Sequence, residues 1–268
     1  MISLPLLKRN LICCVKPFCI IFALLLMYTT VIIYMFDPAL AQMLNDYQQA
    51  LPEVMAAVGM TGTAANLLEW IQIYLYGFIM LLLPLVFIVV AVYSLVMRYV
   101  DRGSIAALLS TPNSRTKIIV TQLLSDYLWL VILMAAVTLT GIVSSEAMFP
   151  GELELSRYLL LNLGTLLLWF AVAAIAFAAA CFFSESKYYY AVGGGLPVLF
   201  FLFQMMGNMG ERLDFLKYLT LYSLLSAKEI VTGELGTEVV LPCLALLGIT
   251  VLLSVFGCLY FKRRDLSV

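Results

Sequence analysis

One acidic residue stands inside the long apolar runs of this chain, and it limits the chemistry open to them. Asp126 lies between Ser125 and Tyr127 near the start of an apolar stretch. An ion-coupled transporter needs such groups at membrane depth, where each costs roughly 2.5–3.5 kcal/mol at the centre of an inserted helix. If the stretch is redrawn from Tyr127 to Ser145, Asp126 becomes an interfacial carboxylate on a helix that extends into water, and ion coupling loses its support. Other catalytic groups are missing. There is no histidine, which removes Ser-His-Asp and Cys-His catalysis, His-ligated zinc and imidazole relays. No Gly-Lys dipeptide occurs, so the chain has no P-loop to cradle phosphates. An aspartyl pair would need a second acid beside Asp126. The cysteines Cys13, Cys14, Cys19, Cys181, Cys243 and Cys258 show no C-x-x-C spacing and lie in or beside apolar runs. They read as packing residues, not as a metal site or a disulfide framework. No catalytic residue, metal site or cofactor is expected in this chain.

The most informative polar segment is 98–117, Arg98-Tyr-Val-Asp-Arg-Gly-Ser-Ile-Ala-Ala-Leu-Leu-Ser-Thr-Pro-Asn-Ser-Arg-Thr-Lys117. Asp101 supplies an acid at the start of a short helix, where the dipole favours negative charge. Ile105, Leu108 and Leu109 share one face at i, i+3, i+4, and Pro112 ends the helix. Asn113 or Ser114 can cap the helix that follows. Two readings are open from the residues alone: a short amphipathic helix held between two membrane helices, or an ordinary interfacial turn rich in basic residues.

The elements that hold this segment follow from composition. Of 268 residues, 64% are hydrophobic and 12% charged, with a mean hydropathy of +1.05. A soluble domain carries about 45–50% apolar and about 25% charged residues, so the excess cannot be hidden in a soluble core. A soluble enzyme is excluded, and a net charge of −1 gives no sign of nucleic-acid binding. Six apolar stretches are long enough to cross about 30 Å of hydrocarbon at 1.5 Å per residue: 18–36, 71–97, 118–143, 158–183, 189–209 and 239–261. The fold class is therefore an all-α membrane protein of six transmembrane helices, one domain over 1–268.

An even number of spans places both termini on one side. That side holds Lys8, Arg9, Lys16, Arg98, Arg102, Arg115, Lys117, Lys187, Lys262, Arg263 and Arg264, while the opposite loops hold only Arg157, Arg212, Lys217 and Lys228. The asymmetry makes the termini cytoplasmic in a cell membrane. Ahead of the first stretch, Leu4, Leu7, Leu11, Cys14, Val15 and Phe18 recur at helical spacing, which reads as an interfacial elbow helix, with Pro5 tolerated in its first turn. A secretory signal ending near Ala39-Leu40-Ala41 is the alternative, but the apolar run exceeds the roughly 7–15 residues of such signals. The outer loops 37–70, 144–157 and 210–238 are too short for a separate domain, and the last has room for short helices split near Gly233 and Gly236.

Several features inside the spans have two readings. Gly193-Gly194-Gly195 with Pro197 either unwinds the fifth span or permits close packing, and packing is the simpler account. The Ala-rich run 171–180 lets backbones approach. Trp70 and the run Lys187-Tyr188-Tyr189-Tyr190 read as interface anchors. Gln204 and Asn208 lie four apart on one face of the fifth span, with Met205, Met206 and Met209 nearby. They would suit the polar and thioether lining of a path for an amphiphile, or hydrogen bonding within the bundle.

The order Asp101, Gly103, Leu108, Leu109, Ser110, Pro112, Ser114, Arg115 resembles the cytoplasmic loop of type-2 ABC exporter permeases. The ending Phe261-Lys262-Arg263-Arg264-Asp265-Leu266 and the six-span layout extend the resemblance to the whole length. It departs at Gln122, where that family often has a basic residue. The resemblance implies a coupling helix in 98–117, with Asp101, Arg102, Gly103, Ile105, Leu108, Leu109, Ser110, Pro112 and Arg115 at the contact with a separate ATP-binding subunit. It implies two permease chains forming the path, with ATP and Mg held by the partner subunit. The other class considered is a six-helix binding or sensor component without a path of its own, which would place recognition groups in outer loops.

Overall fold

The structure is a computed structural model that describes residues 3–37, 43, 52–57, 64–101, 103, 114–233 and 236–264. Among the described residues every regular element is helical. Six helices are long and apolar enough to cross a membrane: span one Leu4–Tyr34, span two Ile79–Asp101, span three Arg115–Met148, span four Leu155–Phe182, span five Ser186–Asn208 and span six Thr237–Arg263. They match the six expected stretches, with longer ends on spans one and three. The loop between spans five and six carries the expected short helices, Glu211–Leu219, Tyr222–Leu224 and Ala227–Thr232. The last of these ends at Gly233, whose φ of 86° is the left-handed conformation that favours glycine.

The elbow expected ahead of span one is not a separate element. Residues 4–34 form one helix that runs through Pro17. Its buried stripe is Leu6, Asn10, Cys14, Ile21, Leu25, Thr29 and Ile33, a face packed along span three. Two hydrogen bonds fix the lead to that helix. The Ser3 N–H donates to Thr121 Oγ1 at 3.1 Å, and Asn10 Nδ2 donates to Ser125 Oγ at 3.0 Å. Leu4 and Val15, expected on the apolar face, are exposed.

Span two is not a plain helix over 71–97. Ahead of span two lies the helix Leu67–Ile71, capped by Asn66, whose side chain accepts from the Glu69 N–H at 2.8 Å while Glu69 accepts from the Ala65 N–H at 2.7 Å. A π-helical segment follows at Gln72–Tyr76, then a turn at Gly77 and Phe78, then α-helix from Ile79 to Val92 and a second π segment at Tyr93–Met97. Each break frees backbone groups that hydrocarbon cannot satisfy. Pro84 has no N–H, so the carbonyl of Met80, four residues earlier, loses its helical donor. Trp169 of span four fills the place, its Nε1 donating to Met80 O at 2.9 Å. Pro242 in span six strands the Glu238 carbonyl in the same way, and Ser226 Oγ donates to it at 2.9 Å. Trp70 is 2% exposed, so it is no interface anchor. It packs edge-on against Phe36 and donates from Nε1 to Ile32 O at 2.8 Å, at the end of span one.

Span four is the core of the bundle. Its alanines Ala171, Ala173, Ala174, Ala176, Ala179 and Ala180 are buried, and small side chains there bring neighbours close. A Cβ on Gly257 of span six would come within 3.4 Å of the Ala178 Cα, and one on Gly193 of span five within 3.3 Å of the Ala176 Cα. The expected close-packing role of Gly193 holds, although the helix is also rewound there as a π segment, Tyr190–Gly194. A Cβ on Gly141 of span three would clash with Tyr158 Oη.

Two stability changes follow. Gly141→Ala forces Tyr158 to move and costs about 1–3 kcal/mol through overpacking, read as a lower melting temperature of the detergent-solubilised protein. Trp169→Phe leaves the Met80 carbonyl unpaired and costs about 1–3 kcal/mol. In a Pro84→Ala background, which restores an N–H to that carbonyl, the same substitution costs less. A double-mutant cycle with no coupling between positions 84 and 169 would contradict the account.

Candidate coupling and path surfaces

The segment 98–117 leaves the bundle at the face that carries both described termini. Arg102, Ile105, Leu108, Leu109, Ser110 and Pro112 lie outside the described residues, and so does the expected short helix. The two ends of the segment are described, and each is tied to a different span. At the entry, Asp101 Oδ1 accepts from the Ser186 N–H at 3.1 Å, which joins the end of span two to the first turn of span five. Gly103 follows with a φ of 63°. Arg9 and Arg98 both lie over the ring of Tyr99, at 5.9 and 5.5 Å from its centroid.

At the exit, Ser114 caps span three, its hydroxyl accepting from the Lys117 N–H at 3.2 Å. Arg115 donates from a terminal guanidinium nitrogen to the Arg264 carbonyl at 2.9 Å. Arg264 in turn donates to the Cys181 carbonyl at 2.7 Å and to the Ser184 hydroxyl. The last carbonyls of a helix have no intrahelical donor, so this arginine closes the end of span four while Arg115 closes the end of span six. Burial lowers the Arg264 pKa from its ordinary value, and the group stays charged. The sequence shows Arg264 only as one of many basic residues on this side.

Spans two and five are joined by aromatic groups along their irregular turns. Tyr189 is fully buried and donates from Oη to the Val89 carbonyl at 2.7 Å. Tyr93 and Tyr190 stack at 5.3 Å with their planes 24° apart, each inside a π segment. Of the expected interface anchors, Lys187, Tyr188 and Tyr190 are exposed as anchors require, while Tyr189 is a core residue.

Asp126 is not an interfacial carboxylate. It is 1% exposed, on the side of span three that faces the bundle, and neither oxygen has a hydrogen-bond partner. Gln122, one turn earlier, is buried with both amide atoms unpartnered, and Trp129 Nε1 is unpartnered one turn later. Cys14 of span one and Tyr189 of span five stand within electrostatic reach of the carboxyl. Burial on a helix that begins at Arg115 was not legible from the run of apolar residues, because the face an isolated acid takes depends on how the neighbouring helices pack.

Of the expected path residues, Gln204, Met205 and Asn208 are half-buried on span five, and Gln204 Oε1 lacks a partner. Asn208 lines a small polar cleft with Asp214 and Lys217, which are paired at 2.8 Å. Beside span five lies a larger apolar groove of about 700 Å³, floored by Ala178 and Ala179 of span four and walled by Leu196 and Phe200 of span five and Leu253 and Phe256 of span six.

Six apolar helices, with side chains meeting the carbonyls freed at Pro84 and Pro242 and with one face linked by the ends of a single loop, define a multi-pass membrane protein. Residues 15–266 match the family described as ABC-2 family transporter protein, and the chain belongs to that family. It is a membrane component of an ABC transporter, a transport component and not a catalytic subunit, in a family whose permeases work with an ATP-binding subunit. No curated protein matches the chain.

Removing an unpartnered buried carboxyl should stabilise the bundle, since such a group carries a desolvation penalty of about 1–3 kcal/mol. Asp126→Val should therefore raise the melting temperature, whereas Asp126→Asn, which keeps an unpartnered polar group, should not. A lower melting temperature for Asp126→Val would show that the carboxyl holds the bundle together.

Proposed function

We propose that this chain is the permease half of an ATP-driven exporter in a cell membrane, with both termini in the cytoplasm. The match to the ABC-2 family across residues 15–266 carries this reading. The basic residues of loop 98–117 and of both ends support the cytoplasmic placement. The chain has no phosphate-cradling motif, so ATP and Mg are bound by a separate subunit and the isolated chain hydrolyses no ATP. Two permease chains, alike or different, surround the path.

In this reading, loop 98–117 is the coupling element. Asp101, Arg102 and Gly103 lead into it, Ile105, Leu108 and Leu109 enter a groove on the ATP-binding subunit, and Ser110, Pro112 and Arg115 set its exit. Nucleotide binding and hydrolysis move the loop, and the permease halves alternate between closed and open arrangements. Spans two and five line part of the path. Gln204, Met205 and Asn208 offer amide and thioether groups to a passing amphiphile.

The test is a pull-down. Leu108→Asp with Leu109→Asp puts unpaired charge into a buried contact; a loss of about 4 kcal/mol corresponds to roughly a thousandfold in affinity. The double variant should insert normally and lose the ATP-binding subunit. Retention of the subunit with unchanged hydrolysis would return the loop to an ordinary membrane turn. Topology is checked by placing single cysteines, Gln48→Cys or Asp265→Cys, in a cysteine-free background. Position 48 should label from outside and position 265 from inside, and labelling of both from one side would contradict the arrangement.

A further inference from the structure

We propose that spans four, five and six together hold one anionic phospholipid from the leaflet on the side of the termini, with its acyl chain in the apolar groove and its phosphate at Arg263. The inference goes beyond the permease reading and makes no use of loop 98–117.

The groove and the basic end of span six are parts of one surface. On span six, Ile249, Leu253, Phe256, Tyr260 and Arg263 follow one another at intervals of three and four residues, which places them in one stripe along the helix. Ile249, Leu253 and Phe256 wall the groove of about 700 Å³ together with Val192, Leu196 and Phe200 of span five. Phe256 also lines a second cleft of about 450 Å³, whose other walls are Leu259, Tyr260, Arg263 and Arg264. Where the two meet, the ring of Phe182 of span four packs on Tyr260 at 4.8 Å. An apolar slot thus opens at one end into a cleft lined with guanidinium groups, while Tyr218, Leu219 and Leu221 border it at the other. From Arg263 to Ile249 the stripe covers fourteen residues, about 21 Å at 1.5 Å per residue. That exceeds half of the roughly 30 Å hydrocarbon thickness, so a chain hanging from a head at Arg263 runs along the whole slot.

Charge decides the occupant. Apolar walls alone gain little over bulk lipid, because lipid tails are as apolar as the side chains. Selection must come from the head. Lys262 and Arg263 are exposed in the last turn of span six, and among the described residues neither is in an ion pair. Lys187 is matched by Glu185 at 2.7 Å, and Asp265 lies outside the described residues. Arg264 is held by the Cys181 carbonyl and the Ser184 hydroxyl, which fixes one wall of the cleft and leaves Arg263 for an anion from outside. A guanidinium takes phosphate through paired N–H bonds, and a basic pocket between membrane helices suits an anionic head group. A second copy of the chain fits less well. The two-fold axis of a membrane dimer runs along the membrane normal, so a self-complementary contact over this stripe would set Lys262 and Arg263 of both copies at the same depth, like charge facing like charge.

The experiment uses the full chain in phosphatidylcholine nanodiscs that carry a trace of lipid with a diazirine at mid-chain, either phosphatidylglycerol or phosphatidylcholine. Sites of photolabelling are mapped by mass spectrometry. Phosphatidylglycerol should label the peptides holding Leu196, Leu253 and Phe256 at least about fivefold more than phosphatidylcholine does, the selectivity of one cation at the membrane surface. Both lipids should label the exposed Leu139 and Val143 of span three alike. Arg263→Gln should lower the preference about fivefold, and Leu253→Trp, which fills the slot and leaves the cleft intact, should reduce slot labelling by both lipids without changing that at Leu139 and Val143. Equal slot labelling by the two lipids, or a full preference in Arg263→Gln, overturns the site. Labelling should withstand glycerol phosphate, which has the head without the chain; its loss would make Arg263 a site for a free anion and overturn the lipid. Leu253→Cys in a cysteine-free background should stay monomeric on oxidation, and a disulfide-linked dimer with an unlabelled slot would give this face to a second copy and overturn the proposal.

Discussion

The described structure depends on one constraint: within hydrocarbon, a backbone carbonyl that loses its helical donor must find another inside the protein. Met80, Glu238, Ile32, Cys181, Val231 and Arg264 each present such a carbonyl at a proline or a helix end. Each receives a side chain, from Trp169, Ser226, Trp70, Arg264, Arg157 and Arg115 in turn. Between apolar helices in lipid there is little hydrophobic drive to associate. These directional contacts, with the small-residue surface of span four, therefore set which helix meets which and at what height.

The same bonds show which spans meet. Those from Arg115, Arg264, Tyr127 and Asn10 join spans one, three, four and six. Span two is held to span four by Trp169, and the π segment ahead of it by Tyr76, whose hydroxyl donates to Asn162 Oδ1 at 2.8 Å. Span five hydrogen-bonds to span two at its end nearest the termini, through Tyr189 and the Ser186 N–H, while its far half packs on Glu211–Leu219. Its outward face at Val198, Leu199, Leu202 and Met206 is exposed.

The six spans were legible because length and lack of charge are sufficient signals when the solvent is a bilayer. The cap at Ser114, the short helices of 210–238 and the close approach at Gly193 were legible for local reasons: a hydroxyl before a helix, glycine at its end, glycine against alanine. The elbow was not, because the lead of span one is apolar around much of its circumference, and Leu4, Leu7 and Leu11 describe a helical face as well as Leu6, Asn10 and Cys14 do. Trp70 and Asp126 were misplaced for a related reason. A tryptophan at the end of an apolar run and an acid near its start both suit an interface, and only the neighbouring helices decide otherwise. One missed signal was available in the sequence. Pro84 and Pro242 name the carbonyls four residues earlier as orphans, so a donor had to exist elsewhere, although nothing local identifies it as Trp169 or Ser226.

The central claim is that loop 98–117 is where the ATP-binding subunit meets this chain, and hydrogen–deuterium exchange tests it most directly. Exchange should be followed over the whole chain, alone and in the purified complex, in the same nanodiscs. The account predicts that amides of residues 102–113 become protected in the complex while those of 144–157 and 210–238 keep their rates. Unchanged exchange across 102–113, or protection confined to the loops at the opposite face, would contradict it.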